Sequence, residues 1–347
     1  MFRCSSVSIA VCGTINKEQR YQFLVAFSYH HRPKFLYRMK SVFQRPLWVA
    51  VFGLTAAMLW GWAYPLIKLG FTEFGIEGDM TGSKMLFAGI RFTLSGLILL
   101  LIASITGRKL RLKEEGRGHA ALAWLYILVF ALFNTTFHYA TFYVGLSHSE
   151  GSRAAILNSL SVFLVVILAC IFFKSDRMSL RKLLGCLIGF AGILTLNLGS
   201  GASTLGGFSL MGDGMIILNA ICSAVASLMT RGLGKRIDIF VGTGISLALG
   251  GLLLVVPGLL MGGTIPAVTA RGVFYLICLI CISSTGFSLY NKLISLNPVG
   301  KVAIFNSLIP IIGALTSCWC LGELFHWNYL VAGTLAALGI YIINSTK

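Results

Sequence analysis

Residues 152–160 read SRAAILNSL and residues 300–308 read GKVAIFNSL, and these two stretches decide how the chain is organised. Five of the nine positions are identical, and both stretches carry a basic residue at the second position. Each one opens a long run without charged residues. The shared Asn-Ser-Leu and the aligned basic residue favour an internal repeat over two apolar helices that resemble each other only in composition.

The composition around these stretches is that of a membrane protein. Of the 347 residues, 56% are hydrophobic and only 11% are charged, whereas a soluble domain carries roughly 25% charged residues. This balance excludes a soluble enzyme, a disordered scaffold and a secreted disulfide module. We therefore interpret the sequence as an integral membrane protein.

Runs without charged residues locate the membrane spans. One such run comprises the 22 residues between Arg45 and Lys68, and a helix needs roughly 20 residues to cross a hydrocarbon core. The alternation of polar and apolar residues that a transmembrane barrel requires is not seen. We predict an all-α integral membrane protein with ten transmembrane helices, over residues 47–69, 84–105, 120–144, 152–173, 181–199, 213–233, 239–261, 271–292, 299–321 and 326–344.

Basic residues mark one side of this predicted protein. Of the 28 Lys and Arg residues, 23 fall before the first span, in every second connection or in the tail. By the positive-inside rule this side is cytoplasmic, and both termini lie there. The net charge of +17 therefore predicts a topology rather than binding to nucleic acid.

The repeat and the spans together divide the chain into two halves, residues 47–199 and 213–344. Each half holds five predicted helices, and because five is an odd number, the second half enters the membrane from the opposite side. The remaining segment, 1–46, is a basic cytoplasmic extension. We interpret the residues before Met39 as upstream sequence that is not normally made, with a cytoplasmic tail or a transit-peptide-like leader as alternatives.

Several short motifs fall at defined places in this ten-helix frame. They are WGWAYPLIK at 60–68, Ile90-Arg91-Phe92, Pro310, Leu321-Gly322-Glu323, Gly333 and Gly339. In their order and spacing they resemble the EamA family of the drug/metabolite transporter superfamily, over about 47–344. One departure is that the first half has Lys174-Ser175-Asp176 where the second has the glycine and glutamate. The resemblance implies a solute transporter with a central cavity and alternating access, and it names no solute.

The first span presents a candidate surface for binding a solute. Trp60, Tyr64 and Lys68 are spaced four residues apart and share one face of a helix. Two aromatic rings with a cation at the outer end would line a cavity that attracts a carboxylate or a phosphate. The alternative for this face is an aromatic belt at the membrane interface with a snorkelling lysine.

Arg91 is the most deeply placed charge in the predicted spans. An arginine at a helix centre costs roughly 2.5–3.5 kcal/mol on insertion scales, so that it is expected to have a partner or to face water. One interpretation is that it binds an anionic group of a solute. The other is a structural ion pair with an acid on the same side, for which the candidates are Glu73, Asp79, Glu150 and Asp213.

Polar residues of the later spans complete the candidates for the cavity. Asn134 and His138 share a stripe of the third span, where the histidine relays a proton or, as we favour, donates a fixed hydrogen bond between helices. Tyr290 lies in the eighth span. Asn158 and Asn306 occupy equivalent places in the two halves. Because the asparagine is repeated, both are candidates for the lining of the cavity or for its gates.

The sequence lacks the motifs of the common enzyme classes. It contains no P-loop, no HExxH and no G-x-S-x-G. The closely spaced cysteines, Cys278 with Cys281 and Cys318 with Cys320, lie inside apolar spans without histidine partners. We expect no enzymatic activity, no cofactor and no bound metal.

The sequence therefore predicts a multi-pass protein of the cell (cytoplasmic) membrane that exports a small polar or amphipathic, amino-acid-like metabolite by alternating access. Its partners are the solute and the lipid bilayer, without nucleic acid, and coupling to protons or to a counter-solute is left open. An alternative is a sugar, nucleotide-sugar or sugar-phosphate exchanger of the same superfamily. The alternatives from other classes are an integral-membrane transferase and a channel.

Overall fold

A computed structural model describes residues 42–113, 117–148, 151–173, 178–198, 209–322 and 327–344. The chain divides into a unit over Met1–Arg45 and a unit over Pro46–Lys347. Most of the first unit, including the predicted extension up to residue 41, lies outside the described residues. Glu150, Glu323 and the stretch 174–176 also lie outside them.

Within the described part of Pro46–Lys347, every regular element is helical, as the composition predicts. A helix lies in each of the ten predicted ranges, and its ends differ from the prediction by at most a few residues. The helices are α1 (Pro46–Phe74), α2 (Thr81–Ile105), α3 (Arg117–Ala131, a π-helical turn at Leu132–Thr136, and Phe137–Ser147), α4 (Gly151–Phe172), α5 (Leu180–Leu198), α6 (Leu210–Arg236), α7 (Ile239–Leu260), α8 (Ala270–Leu296), α9 (Val299–Leu321, with a 3-10 turn at Ile304–Leu308) and α10 (Asn328–Asn344).

Seven of the helices in the described ranges are long and apolar enough to cross a membrane. They are α1, α2, α3, α6, α7, α8 and α9. In α4 and α10, shorter apolar segments run over Leu160–Phe172 and Gly333–Ile343. The chain is thus a multi-pass membrane protein by the length and composition of its helices.

Polar caps and glycines set the ends of several helices. The Asp238 carboxylate accepts hydrogen bonds from the N–H groups of Phe240 and Val241 at the start of α7, at 3.0 and 3.3 Å. At the end of α9, Gly322 adopts a left-handed conformation with φ 70°, which glycine tolerates without steric cost. The glycine of the Leu-Gly-Glu motif therefore ends a helix.

Glycines at seven-residue intervals bring α2 and α7 into close antiparallel contact. They are Gly82, Gly89 and Gly96 on α2 and Gly244, Gly251 and Gly258 on α7. A Cβ atom at Gly96 would lie 2.5 Å from the Gly244 carbonyl oxygen, and one at Gly89 would lie 2.9 Å from the Gly251 carbonyl oxygen. The backbones meet where no side chain fits, as is typical of helix packing in lipid.

The same glycines show how the two halves are related. Each α2 glycine precedes one α7 glycine by 162 residues, so that Gly82 corresponds to Gly244 and Gly96 to Gly258. In space the order is reversed, because Gly96 faces Gly244 and Gly82 faces Gly258. The same glycine contacts result when α2 and α7 are exchanged. The two helices are therefore related by a two-fold rotation centred on the contact between Gly89 and Gly251.

The other helix contacts follow the same two-fold exchange. The contact of α1 with α8 corresponds to that of α6 with α3, and the contact of α1 with α9 to that of α6 with α4. The contact of α2 with α8 corresponds to that of α7 with α3. α5 and α10 pair with each other, and there a Cβ at Gly339 would lie 2.6 Å from the Gly185 carbonyl oxygen. The chain is therefore built as two structural repeats.

Connecting segments of opposite halves hold both ends of the α2–α7 pair. At one end, Arg108 forms an ion pair with Asp238 at 3.2 Å, and the Lys113 N–H donates to the Arg236 carbonyl at 2.8 Å. At the other end, the Thr264 N–H donates to the Ser83 hydroxyl at 3.0 Å. The pair thus links the two repeats along its whole length.

Replacing Gly96 by alanine is expected to weaken this contact, because its Cβ would meet the α7 backbone. Overpacking costs roughly 1–3 kcal/mol, against a gain of up to about 1 kcal/mol in helix propensity. The measurement is the free energy of unfolding of the purified protein by SDS titration in mixed micelles. Gly189→Ala is the matched control, because a Cβ there meets nothing within 4 Å. Equal stability of the two variants would contradict the role assigned to the α2–α7 contact.

Candidate solute site

Aromatic rings from four helices meet between the two repeats. The Trp60 ring of α1 lies 5.2 Å from the rings of both Phe287 and Tyr290 on α8, measured between centroids. Phe92 of α2 lies 6.1 Å from Phe287 and 4.3 Å from Tyr139 of α3. We refer to these five residues, Trp60, Phe92, Tyr139, Phe287 and Tyr290, as the aromatic cluster.

A glycine on α8 makes room for the indole of Trp60. A Cβ atom at Gly286 would lie 2.9 Å from the indole nitrogen Nε1. This N–H is buried and has no hydrogen-bond partner among the described residues. Trp60 therefore packs deeply against α8 and is not a residue of an interfacial aromatic belt.

Arg91 lies beside the aromatic cluster and is only 4% exposed. Its Nε donates to the Ser283 hydroxyl of α8 at 2.8 Å, and its guanidinium carbon lies 4.9 Å from the centroid of the Phe92 ring. Tyr139 and Tyr143 of α3 are within electrostatic range of the guanidinium. The arginine is thus held in a fixed orientation by neutral groups.

Two of the acids that were candidates for an ion pair with Arg91, Glu73 and Asp213, have other partners. Glu73 accepts a hydrogen bond from the Thr269 hydroxyl at 2.6 Å, and Asp213 accepts one from the Ser209 N–H at 3.0 Å. No described carboxylate lies within ion-pair distance of Arg91. Within the described ranges, Arg91 therefore forms no buried ion pair, which was the structural alternative to binding a solute.

Tyr64 and His138 lie next to the cluster at Tyr139. Tyr64 keeps 36% of its surface exposed, and a Cβ at Gly313 of α9 would lie 3.0 Å from its ring. It is within electrostatic range of Tyr139, and the His138 ring lies 4.5 Å from the Tyr139 ring. The imidazole makes no hydrogen bond within the described part of the chain, so the fixed interhelical bond that the sequence favoured is not seen there.

Asn306 and Asn158 occupy equivalent sequence positions and have different partners. The Asn306 amide donates to the Tyr290 hydroxyl at 3.0 Å, which joins α9 to the cluster. The Asn158 carbonyl accepts from the Asn219 amide of α6 at 2.6 Å. Asn306 lies in the 3-10 turn before Pro310, where proline supplies no backbone donor. The structure therefore attaches Asn306, and not Asn158, to the cluster.

Asn134 forms its hydrogen bonds with residues outside the cluster. Asn134 is buried in the π-helical turn of α3, and its amide donates to the Ser246 hydroxyl of α7 at 3.2 Å. Beside it, the Thr136 hydroxyl donates to the Gly250 carbonyl at 2.9 Å. Asn134 thus joins α3 to α7. Lys68 is exposed, one helical turn beyond Tyr64.

Phe92, Tyr139, Ser283 and Phe287 lie in or directly beside the aromatic cluster and were not predicted as binding residues. Phe92 and Tyr139 directly follow predicted residues, Arg91 and His138. Neighbouring residues on a helix point about 100° apart, so the contacts of Phe92 and Tyr139 depend on the rotation of α2 and α3, which the sequence does not give. The spacing of Ser283, Phe287 and Tyr290 along one face of α8 is the available signal in the sequence.

Comparison with known proteins reveals extensive similarity to transporters. A model of the EamA-like transporter family matches residues 47–198 and 210–345. The uncharacterized transporter YvbV of Bacillus subtilis is 26% identical over 297 residues, which cover 83% of this chain and 88% of that protein. The WAT1-related protein At3g02690, chloroplastic, of Arabidopsis thaliana is 26% identical over 265 residues, or 74% of this chain and 62% of that protein.

Two further matches cover most of both chains. An uncharacterized transporter of Archaeoglobus fulgidus is 22% identical over 294 residues, which cover 84% of this chain and 95% of that protein. A solved structure titled "Crystal structure of protein" has a TM-score of 0.66 and 17% identity, and covers 85% of this chain and 96% of that chain. At this identity the solved structure shows a shared fold.

Replacing Asn134 by alanine is expected to lower stability without altering solute binding, because its hydrogen bond joins α3 to α7 outside the cluster. Interhelical hydrogen bonds in membrane proteins contribute about 0.6 kcal/mol on average and up to about 1.7 kcal/mol. The measurements are the free energy of unfolding and the Kd for a transported solute. An unchanged stability together with a Kd raised tenfold or more would contradict this placement and return Asn134 to the site.

Proposed function

Because the chain belongs to the EamA-like transporter family, we propose that it exports a small polar or amphipathic, amino-acid-like metabolite across the cell membrane by alternating access. The observation that carries this proposal is the buried cation Arg91 beside an aromatic cluster, between two repeats related by a two-fold exchange. Such a site offers one charged anchor and a wall of rings for the rest of a small solute.

The proposed topology has ten membrane crossings, with both termini in the cytoplasm and the repeats inverted. The antiparallel contact of α2 with α7 supports it, because equivalent helices of inverted repeats cross the membrane in opposite directions. The clustering of 23 of the 28 basic residues on one side supports the cytoplasmic placement of the termini. We take the repeats to span residues 47–199 and 213–344.

An asymmetry between the repeats supports alternating access. At the predicted cytoplasmic end, Arg231 of α6 donates a hydrogen bond to the Asn297 carbonyl beyond α8 at 2.9 Å. The symmetry-related pair, α1 and α3, meets through the rings of Phe71 and Tyr143 at 6.4 Å. We interpret the hydrogen-bonded end as closed, in a state that faces away from the cytoplasm.

The alternative functions have less support from the described residues. A sugar phosphate or nucleotide sugar carries at least two negative charges, and Arg91 is the one described cation in contact with the cluster. A membrane transferase needs a catalytic or metal-binding cluster, and the described residues hold no group of three metal ligands. A channel would need a path that stays open at both ends.

A reversible lock at the closed end tests the function and the mechanism together. A Cβ atom at Gly300 of α9 would lie 3.9 Å from the Val166 Cβ of α4, which suits a disulfide bond. We expect the double variant Val166→Cys/Gly300→Cys, in a background without its other cysteines, to transport in proteoliposomes when reduced and to stop when oxidised. The flux assay uses labelled amino acids, monocarboxylates, sugars and nucleotide sugars.

The single variants Val166→Cys and Gly300→Cys are the controls and should transport under both conditions. No flux of any solute by the reduced protein would contradict the proposed function. Equal flux by the oxidised and reduced double variant, with the disulfide bond verified, would contradict alternating access and favour a channel.

A further inference from the structure

Arg91 has unused hydrogen-bonding capacity. A guanidinium has five N–H donors, of which the Nε–H is bonded to Ser283 at 2.8 Å. The two terminal amino groups donate no hydrogen bond within the described ranges and are not fully enclosed. A buried guanidinium without a carboxylate partner has a strong requirement for an anion.

Two of the unused polar groups at the cluster can only donate hydrogen bonds. Besides the amino groups of Arg91, the indole N–H of Trp60 lacks a partner in the described part of the chain. Glu73 is bonded to Thr269 and Asp238 to Arg108, and no carboxylate in the described ranges forms an ion pair with Arg91. The site is therefore suited to a ligand that brings acceptors and a negative charge.

The walls next to the guanidinium are aromatic. Phe92 stacks against Arg91 and lies between Tyr139 and Phe287, which in turn contacts Trp60. These rings already contact one another, and Phe92 is fully buried. The rings left partly exposed are those of Trp60, Tyr64 and Tyr139, and they favour a flat apolar body, which buries a face against them without requiring hydrogen bonds. One cation and several rings thus define a ligand with a single charged end.

We propose that this site binds an aromatic monocarboxylate, with its carboxylate on the Arg91 amino groups and its ring against the partly exposed rings of Trp60, Tyr64 and Tyr139. This inference rests on the proposed transport function and, among its small amphipathic solutes, favours acids without an ammonium group over amino acids. A guanidinium fork accepts a carboxylate through two parallel hydrogen bonds. A net monoanion is bound more tightly than the matching zwitterion, because no described carboxylate is placed to receive an ammonium group.

The charge of the ligand is tested with four probes that share one phenylpropyl body. They are 3-phenylpropionate, L-phenylalanine, 3-phenylpropylamine and 3-phenylpropan-1-ol, whose Kd values are measured by calorimetry on the purified protein in nanodiscs. We expect 3-phenylpropionate to bind at least about tenfold more tightly than each of the others, since charge-assisted hydrogen bonds are roughly twice as strong as neutral ones.

The role of Arg91 is tested with Arg91→Gln, which removes the charge and keeps a polar side chain. We expect it to bind 3-phenylpropionate at least about tenfold more weakly and the alcohol with unchanged affinity. Arg271→Gln, at an exposed arginine of α8, is the matched control and should bind all four probes like the wild type.

The wild-type series alone decides the proposal if the Arg91 variant does not fold. Equal or tighter binding of L-phenylalanine than of 3-phenylpropionate would overturn it while leaving the transport function intact. Binding of none of the probes by a protein that transports sugars or nucleotide sugars would also overturn it. The absence of any flux in the proteoliposome assay would instead contradict the proposed transport function, and that assay is independent of these Kd values.

Discussion

The close approach of the α2 and α7 backbones is the constraint on which the rest of the structure depends. Gly89 and Gly251 meet at the centre of an antiparallel pair, and the connecting segments of both repeats are fastened at its two ends. A side chain at these positions would separate the helices and with them the repeats. Because α8 packs on α2 and α3 packs on α7, this contact also fixes where the helices that carry the aromatic rings can lie.

A two-fold frame of this kind produces a site through its departures from symmetry. Arg91 has no charged counterpart on α7, because the residue 162 positions later is Leu253. Asn306 bonds to Tyr290, whereas its equivalent Asn158 bonds to Asn219. The symmetric contacts join the halves, and the unmatched cation and rings lie at their junction, where we propose that the solute binds.

Much of this fold was predictable from sequence, and the details of the site less so. Charge-free runs locate helices well, because a bilayer excludes charge along a whole span. Gly82, Gly89 and Gly96 recur on α7 after 162 residues, but only the structure shows that the two sets face each other. The sequence placed Arg91 and Trp60 in the site, while the inclusion of Phe92 and Tyr139 depends on helix rotation, which packing decides.

The central claim is that the two repeats enter the membrane from opposite sides. The contacts at the two ends of the α2–α7 pair then lie on opposite sides of the membrane. Labelling with a membrane-impermeant maleimide tests it at two exposed positions, Leu110 beyond α2 and Val268 beyond α7, which are 62% and 72% exposed. In a background without native cysteines, Val268→Cys should react in intact cells and Leu110→Cys only after permeabilisation. Reaction of both positions in intact cells, or of neither before permeabilisation, would contradict the account.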